Sequence, residues 1–331
     1  MDLSLPRRAR LSGRDFITLA DYDREDLFFL LDTAEELKRM QARGQPHKVL
    51  EGKSLGMLFG KPSTRTRISF ETGMTQLGGH AQFYTADELQ LAHNETWVDT
   101  ARAMDRYIDA IAVRMYNLSP YGESRRILTS LADAARIPVI NMLDDGEHPC
   151  QVLADVMTVR EKLRSWEGRK IVMSWAYSPR AKSAGVPQGW VIAAAILGMD
   201  LTLAFPEGFD LDPAYMENAR RFADESGARI EIVHDIEEAA RGADIFYAKS
   251  WASYTLTPEE VKARDAELRR WVVSDELLDL GHKYVKFMHP LPADRNLEVT
   301  DAVMDGPRAI VYDELENRLH AQKAVLALLL Q

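Results

Sequence analysis

At Gly60-Lys61-Pro62-Ser63-Thr64-Arg65-Thr66-Arg67 an apolar run ends and a helical pattern begins. Ser54-Leu55-Gly56-Met57-Leu58-Phe59 has the length of a buried strand, and Ile68 to Leu77 places its apolar residues at helical spacing. The octet between them is therefore a strand-to-helix turn. Pro62 stops the strand, and Ser63 or Thr64 caps the helix. Backbone N–H groups without intrahelical partners then point out of the helix start, with the positive end of the dipole behind them. Two hydroxyls and Arg65 surround that spot, which suits a phosphate dianion. A capped helix with solvated arginines accounts for the same residues, and Arg67 fits that reading, because Glu71 stands four residues on. The spacing is not that of a Walker loop: Gly56 and Gly60 are one residue too close, and Pro62 follows Lys61 where Ser or Thr is needed.

The chain has 331 residues, 46% of them hydrophobic, which is enough for two domains with their own cores. Its formal charge is −10 and its pI about 5.4, so neither a nucleic acid nor an anionic membrane is an expected partner. An anion bound by so acidic a chain needs a local cationic pocket. Cys150 is the one cysteine, so no intrachain disulfide can form. No stretch reaches membrane-spanning length, and Met1 to Gly13 has arginines but no apolar signal-type segment. These features point to a soluble cytoplasmic protein.

Strand and helix patterns alternate along the chain. A helix from Asp21 to Met40 precedes strand 54–59 and helix 66–78. A short strand at 81–84, a polar loop from Ala86 to Glu95 containing Gln90 and His93, a helix at 97–107 and strand 109–114 follow. Helix 122–135 and strand 137–141 complete the first set. His148-Pro149-Cys150-Gln151 opens a long helix, where the domain junction is expected. A second set has strands at 169–175, 200–205, 229–233, 244–248, 284–288 and 309–312, with a last amphipathic helix from Glu314 to Leu330 expected to return to the first domain. Regular alternation of this kind means α/β architecture: two doubly wound parallel-sheet domains joined by long helices. Residues 1–147 with 313–331 form the first domain and 148–312 the second.

Ligands in such sheets bind beyond the carboxyl ends of the strands. Ser63 to Thr66, Arg114, His148 and His289 all stand there. His148 and Gln151 lie one turn apart on one helix face, either as satisfied core groups or as a donor pair for a small carbonyl and its amide. Arg114 either pairs with an acidic neighbour or binds phosphate. His289-Pro290-Leu291-Pro292 is a rigid loop whose prolines remove donors and leave carbonyl oxygens. Arg318, in Glu316-Asn317-Arg318, is read at the start of the last helix, where the dipole disfavours a cation.

Ser63-Thr64-Arg65-Thr66-Arg67, Arg114, His148-Pro149-Cys150-Gln151, His289-Pro290-Leu291-Pro292 and Glu316-Asn317-Arg318 occur in the order seen in the aspartate/ornithine carbamoyltransferase family, and the resemblance runs from about Phe16 to Leu330. It implies a trimer of two-domain subunits that uses carbamoyl phosphate without a cofactor or a metal. By that resemblance Ser63, Thr64, Arg65, Thr66 and Arg114 hold the phosphate. His148 and Arg114 polarise the carbamoyl oxygen, Gln151 and the Leu291 carbonyl hold the carbamoyl NH₂, and Arg318 closes the site. His289 and Pro290 belong to the same set, and the loop with Gln90 and His93 reaches the neighbouring subunit's site. The resemblance makes residues 1–147 with 313–331 the carbamoyl-phosphate-binding domain and 148–312 the acceptor-binding domain.

The acceptor is less plain. Ornithine enzymes usually show Asp-x-x-x-Ser-Met-Gly after the strand that here ends at Tyr247, whereas this chain reads Lys249-Ser250-Trp251-Ala252-Ser253-Tyr254-Thr255. A lysine there repels the α-ammonium of ornithine. Aspartate enzymes usually carry lysines in the loop from the neighbouring subunit, where this chain has Ala92 and His93. The two-proline exit Trp175 to Gly189 resembles the knotted branch of the family, which includes the N-acetylornithine and N-succinylornithine enzymes and implies a trefoil knot in the second domain. Lys249, Ser250, Trp251 and Leu291 are then the acceptor-side residues, with Lys249 meeting a carboxylate. The expected function is carbamoyl transfer from carbamoyl phosphate to the side-chain amine of ornithine or an N-acylated ornithine-like acceptor, as in arginine biosynthesis. The alternatives are another amine acceptor, such as aspartate, or a non-catalytic carbamoyl-phosphate-binding paralogue. A nicotinamide oxidoreductase is disfavoured, since no Gly-x-Gly-x-x-Gly follows any strand.

Overall fold

The computed structural model describes residues 10–90, 95–116, 120–180 and 182–331. The chain forms two compact units, one of residues up to Met157 together with Asn317–Gln331, the other of Thr158–Glu316.

In the first unit the order is α1 (Arg24–Ala42), β1 (Ser54–Phe59), α2 (Thr64–Gln76), β2 (His80–Thr85), α3 (Trp97–Met104), β3 (Ala110–Arg114), α4 (Glu123–Ala134), β4 (Val139–Leu143) and the start of α5 (Pro149–Leu163). The strands make one parallel sheet in the order β2-β1-β3-β4. Strands β3 and β4 are buried along their whole length, as their unbroken apolar runs require. Gly56 in β1 is needed for packing: a Cβ there would come within 2.5 Å of Met104 and 2.6 Å of Ile108. Phe59 and Arg114 are register partners, and the Gly60 N–H donates to the Arg114 carbonyl at 2.9 Å. That pairing sets the strand-to-helix turn beside the end of β3.

The second unit has β5 (Ile171–Trp175), α6 (Gly185–Leu197), β6 (Leu201–Ala204), α7 (Pro213–Ser226), β7 (Ile230–Val233), α8 (Ile236–Ala240), β8 (Ile245–Lys249), α9 (Pro258–Ala263) and β9 (Lys286–Met288). Its parallel sheet runs β7-β6-β5-β8-β9. The order turns back at β5, so β5 and β8 leave the sheet at the switch point where ligands bind in this architecture. The α/β class with two parallel sheets is as the sequence indicates.

Two features differ from the sequence reading. Ala309–Tyr312 is not a strand. Phe287 makes one bridge to Ala309, and the chain then turns directly into α10 (Val311–Leu329). Arg318 consequently stands about two turns inside that helix, so the argument from the dipole at a helix start does not apply to it. The division between units also falls inside α5 and α10, not at His148 and Asp313. His148 and Gln151 therefore belong to the first unit, because the first turns of α5 are tied to β4: the Cys150 thiol donates to the Asn141 carbonyl at 3.6 Å.

Candidate active site

The turn after β1 caps its helix with Ser63, whose hydroxyl accepts the Thr66 N–H at 3.3 Å and lies 3.0 Å from the Thr66 hydroxyl. Thr64 is exposed, Ser63 and Arg65 are half-buried, and Thr66 is buried. Arg67 faces away, pairing with Glu71 at 2.9 Å and lying 3.8 Å over the Phe83 ring. Arg318 reaches the same turn from α10, donating to the Thr66 hydroxyl at 2.9 Å. Arg114 closes the set from the end of β3, with its guanidinium 5.1 Å from the Tyr116 ring.

Arg65, Arg114 and Arg318 form no ion pair with a carboxylate among the described residues. Nε and Nη1 of Arg114 and Nε of Arg318 are buried there without a hydrogen-bond partner. Burial pushes the Arg318 guanidinium down to about 10, with Arg114 and Arg65 adding repulsion. Burial, and the charge of Arg65, lower Arg114 in the same direction. Three cations that repel one another, two of them with unused buried donors, form a socket for an anion with several acceptor oxygens.

The first turns of α5 border this socket, since Cys150 and Asp155 both act on the Arg318 charge. His148 is buried just before α5, and its carbonyl accepts the N–H groups of Gln151 and Val152 at 3.0 and 3.1 Å. Gln151 Nε2 donates to Asp155 Oδ1 at 2.7 Å. The Cys150 thiol is pushed up to about 12 by burial, so it is no nucleophile at neutral pH. A buried acidic knot sets the loop that leads to His148. Asp144 accepts the N–H groups of Gly146 and Glu147 at 2.9 and 2.6 Å and pairs with Arg125, while Glu147 accepts the Leu19 N–H at 3.0 Å. Burial raises the Glu147 carboxyl to about 7.

The expected contribution of Gln90 is not met within the chain. Gln90 is exposed, its carbonyl accepts the Glu95 N–H at 3.2 Å, and no hydrogen bond joins it to the three arginines among the described residues. His93 lies outside the described residues.

In the second unit the acceptor-side residues gather around one carboxylate that the sequence reading passed over. Glu298 is fully buried. Its Oε1 accepts the Ser250 N–H at 3.0 Å and lies 3.4 Å from His289 Nε2, and its Oε2 accepts Lys182 Nζ at 2.6 Å and the Asp294 N–H at 2.7 Å. Burial opposes its ionisation, yet His289, Lys249 and Lys182 outweigh that and hold it near 2. Lys249, the last residue of β8, donates to the Ser250 carbonyl and is pushed down to about 7 by burial and by Lys182, against the pull of Glu298. Asp294 pairs with Lys182 at 2.9 Å and also with Arg180.

His289, expected to touch the carbamoyl group, is a brace: its Nδ1 accepts the Leu291 N–H at 2.9 Å and its other nitrogen faces Glu298. Pro290 is buried beside it. Leu291 holds φ at +48°, a conformation that bulky residues rarely adopt, and the Leu291-Pro292 bond is cis. The Trp251 ring is buried and its Nε1–H is committed to the Phe209 carbonyl at 2.8 Å, so it builds the wall of the site.

Both units match known families. Residues 14–161 fit the aspartate/ornithine carbamoyltransferase carbamoyl-P binding domain, and residues 170–329 fit the Asp/Orn binding domain of the same family. An ornithine carbamoyltransferase of Pyrococcus abyssi is 45% identical over 97% of this chain and 96% of its own. The ornithine carbamoyltransferase structure from Pyrococcus furiosus superposes with a TM-score of 0.88 at 43% identity, covering 97% of this chain and 98% of that one. A solved N-acetyl-L-ornithine transcarbamylase superposes with a TM-score of 0.87 at 36% identity, covering 95% and 99%. Arg65 and Arg114 lie in the part matched to carbamoyl phosphate, Arg318 and the Lys249–Glu298 cluster lie in the part matched to the amino acid, and the chain belongs to the aspartate/ornithine carbamoyltransferase family.

Proposed function

We propose that the protein is a carbamoyltransferase that moves the carbamoyl group of carbamoyl phosphate to the side-chain amine of ornithine or an N-acylated ornithine-like acceptor and releases phosphate. The observation that carries this is the socket of Arg65, Arg114 and Arg318, with its buried unsatisfied donors and no carboxylate partner among the described residues. Ser63, Thr64 and Thr66 add hydroxyl and backbone donors for the phosphate. The uncharged amine attacks the carbamoyl carbon, and a tetrahedral oxyanion forms facing Arg114 and His148. The carbon–oxygen bond to phosphate then breaks, and the departing phosphate takes the amine's proton. Asp155 takes an Nε2 hydrogen of Gln151, so the Gln151 carbonyl is the end suited to accept from the carbamoyl NH₂.

On the acceptor side, the three cations Lys249, Lys182 and Arg180 stand against two carboxylates, Glu298 and Asp294. A ligand carboxylate completes that balance, whereas a ligand ammonium would repel both lysines. This favours an acceptor whose α-nitrogen carries no charge. The family resemblance also supports a homotrimer, with Gln90 presented to a neighbouring subunit, and a place in the cytoplasm. Among the described residues no helix is long and apolar enough to cross a membrane. Incubation of the purified protein with carbamoyl phosphate and a panel of amines, read as ureido product by mass spectrometry, tests the proposal. Product from ornithine or an N-acylornithine is expected. Carbamoyl phosphate bound but never transferred to any amine would reduce the protein to a binding paralogue.

A further inference from the structure

Beyond the ends of β5 and β8 the second unit holds a cavity of about 580 Å³. Its walls include the rings of Trp175, Tyr177, Phe209 and Trp251, with Leu256 and Val261 contributing further apolar surface. The polar atoms of these rings are committed elsewhere. Trp175 Nε1–H donates to the Trp251 carbonyl and Trp251 Nε1–H to the Phe209 carbonyl, both at 2.8 Å, and the Tyr177 hydroxyl donates to Asp265 at 2.5 Å. The Trp175 and Phe209 centroids are 4.8 Å apart. These hydrogen bonds fix the rings as nearly buried walls, 1–5% exposed, and the partly exposed Leu256 and Val261 supply the apolar surface that a ligand meets. Ser250 and Trp251 line the cavity and directly follow Lys249, so one short segment carries both the apolar wall and the buried ammonium. Arg180, which pairs with Asp294, also reaches the lining, as do Lys262 and Asp265.

We propose that this cavity seats an apolar acyl group on the acceptor's α-nitrogen, aromatic or branched and larger than acetyl, while the acceptor's carboxylate meets Lys249. The assignment rests on the carbamoyl-transfer reading above and names the substrate class for it. A free α-ammonium would lose its hydration in a mainly apolar cavity and face two lysines, which disfavours plain ornithine. Acylation removes that charge and supplies apolar surface to set against Leu256 and Val261. A cavity of this size falls within the range of sites for complete small ligands, and an acetyl group would cover little of it.

The test compares L-ornithine, Nα-acetyl-L-ornithine and Nα-benzoyl-L-ornithine as acceptors for the full chain with carbamoyl phosphate. The kcat/KM for the benzoyl compound should exceed that for the acetyl compound at least about tenfold, the scale of one methylene or more in a hydrophobic pocket. Val261→Trp, and independently Leu256→Trp, should bring the benzoyl-to-acetyl ratio close to one. Because Trp175 and Trp251 line the cavity, the benzoyl compound should also change the intrinsic tryptophan fluorescence saturably, and either substitution should weaken that change. A benzoyl-to-acetyl ratio near or below one, unaltered by both substitutions, overturns the cavity assignment while leaving carbamoyl transfer intact. Absence of ureido product from all three amines overturns the carbamoyl-transfer reading itself.

Discussion

The proposed reaction gives His148 and the arginine socket separable duties. In that reaction His148 faces the charge that develops, so His148→Ala should lower kcat by about 10²–10³, the effect of losing one oxyanion donor, while phosphate still binds. Arg65→Ala removes a ground-state ligand and should abolish both turnover and binding. Steady-state kinetics beside phosphate calorimetry separates the two, and equal small losses in both variants would contradict these roles. In the second unit, Glu298→Gln removes the carboxylate that faces Lys249 and leaves Lys182 with Asp294 alone. It should cost about 3–5 kcal/mol in urea unfolding, as for other broken buried pairs. The sign with pH follows from a carboxyl held near 2 against an ordinary 4.5: the stabilisation is complete above about 4.5 and disappears as pH falls towards 2. Lys249 gives a second pH signature. At pH 8 an ammonium held near 7 is mostly deprotonated, and an incoming carboxylate restores its proton. Calorimetry of Nα-acetyl-L-ornithine at pH 8 in two buffers of different ionisation enthalpy should show proton uptake that Lys249→Met lacks; heats independent of the buffer would remove Lys249 from the acceptor site. Motif order marks Arg65, Arg114, His148 and Arg318 as candidates, and strand-end position adds to the case for the first three, whereas Arg318 stands inside the last helix. Glu298, Asp155 and Tyr116 carry no such mark. A carboxylate in a loop reads as solvated, and only the fold brings Glu298 to Lys182 across 116 residues.

At the scale of elements, the octet after β1 behaves as its sequence indicates: a buried strand, a Ser63 cap and a helix whose first turn meets Arg318. The last helix shows where local pattern runs out. Ala309–Tyr312 has strand-like residues, yet a single bridge to Phe287 is all the sheet edge takes before α10 begins. Helix α10 is fastened by a buried cation that its amphipathic pattern does not reveal. Lys323 Nζ donates to Gln41 Oε1 at 2.8 Å, to Gln76 Oε1 at 2.9 Å and to His47 Nε2 at 3.1 Å, linking α10 to α1, to the end of α2 and to the chain between. Burial holds this ammonium down to about 8. Between pH 8 and 10 the unfolded chain binds more protons at this lysine than the folded one, so stability should rise with pH, by at most about 1.4 kcal/mol per unit. Chemical denaturation at pH 8 and pH 9.5 checks this, and Lys323→Met should flatten the rise. A stability that falls over that window would contradict the account.

At the scale of the molecule, alternation of strand and helix announces two parallel sheets, and both are present. The dividing points were harder to read, because α5 and α10 continue through them without a break in pattern. Assembly leaves no mark in one chain's periodicity. The exposed Gln90 suits a residue offered to a neighbour, and sedimentation velocity should show a trimer. A monomer that turns over at full rate would refute shared sites.

The central claim is that three guanidiniums on separate segments make one anion socket for carbamoyl phosphate. Calorimetric titration of carbamoyl phosphate into the wild-type protein and into Arg114→Gln tests it most directly. The account predicts one saturable site per chain in the wild type and a loss of at least about 100-fold in affinity in the variant, the scale of a buried charge-assisted contact. Undiminished affinity in Arg114→Gln, or no binding to the wild type, would contradict it.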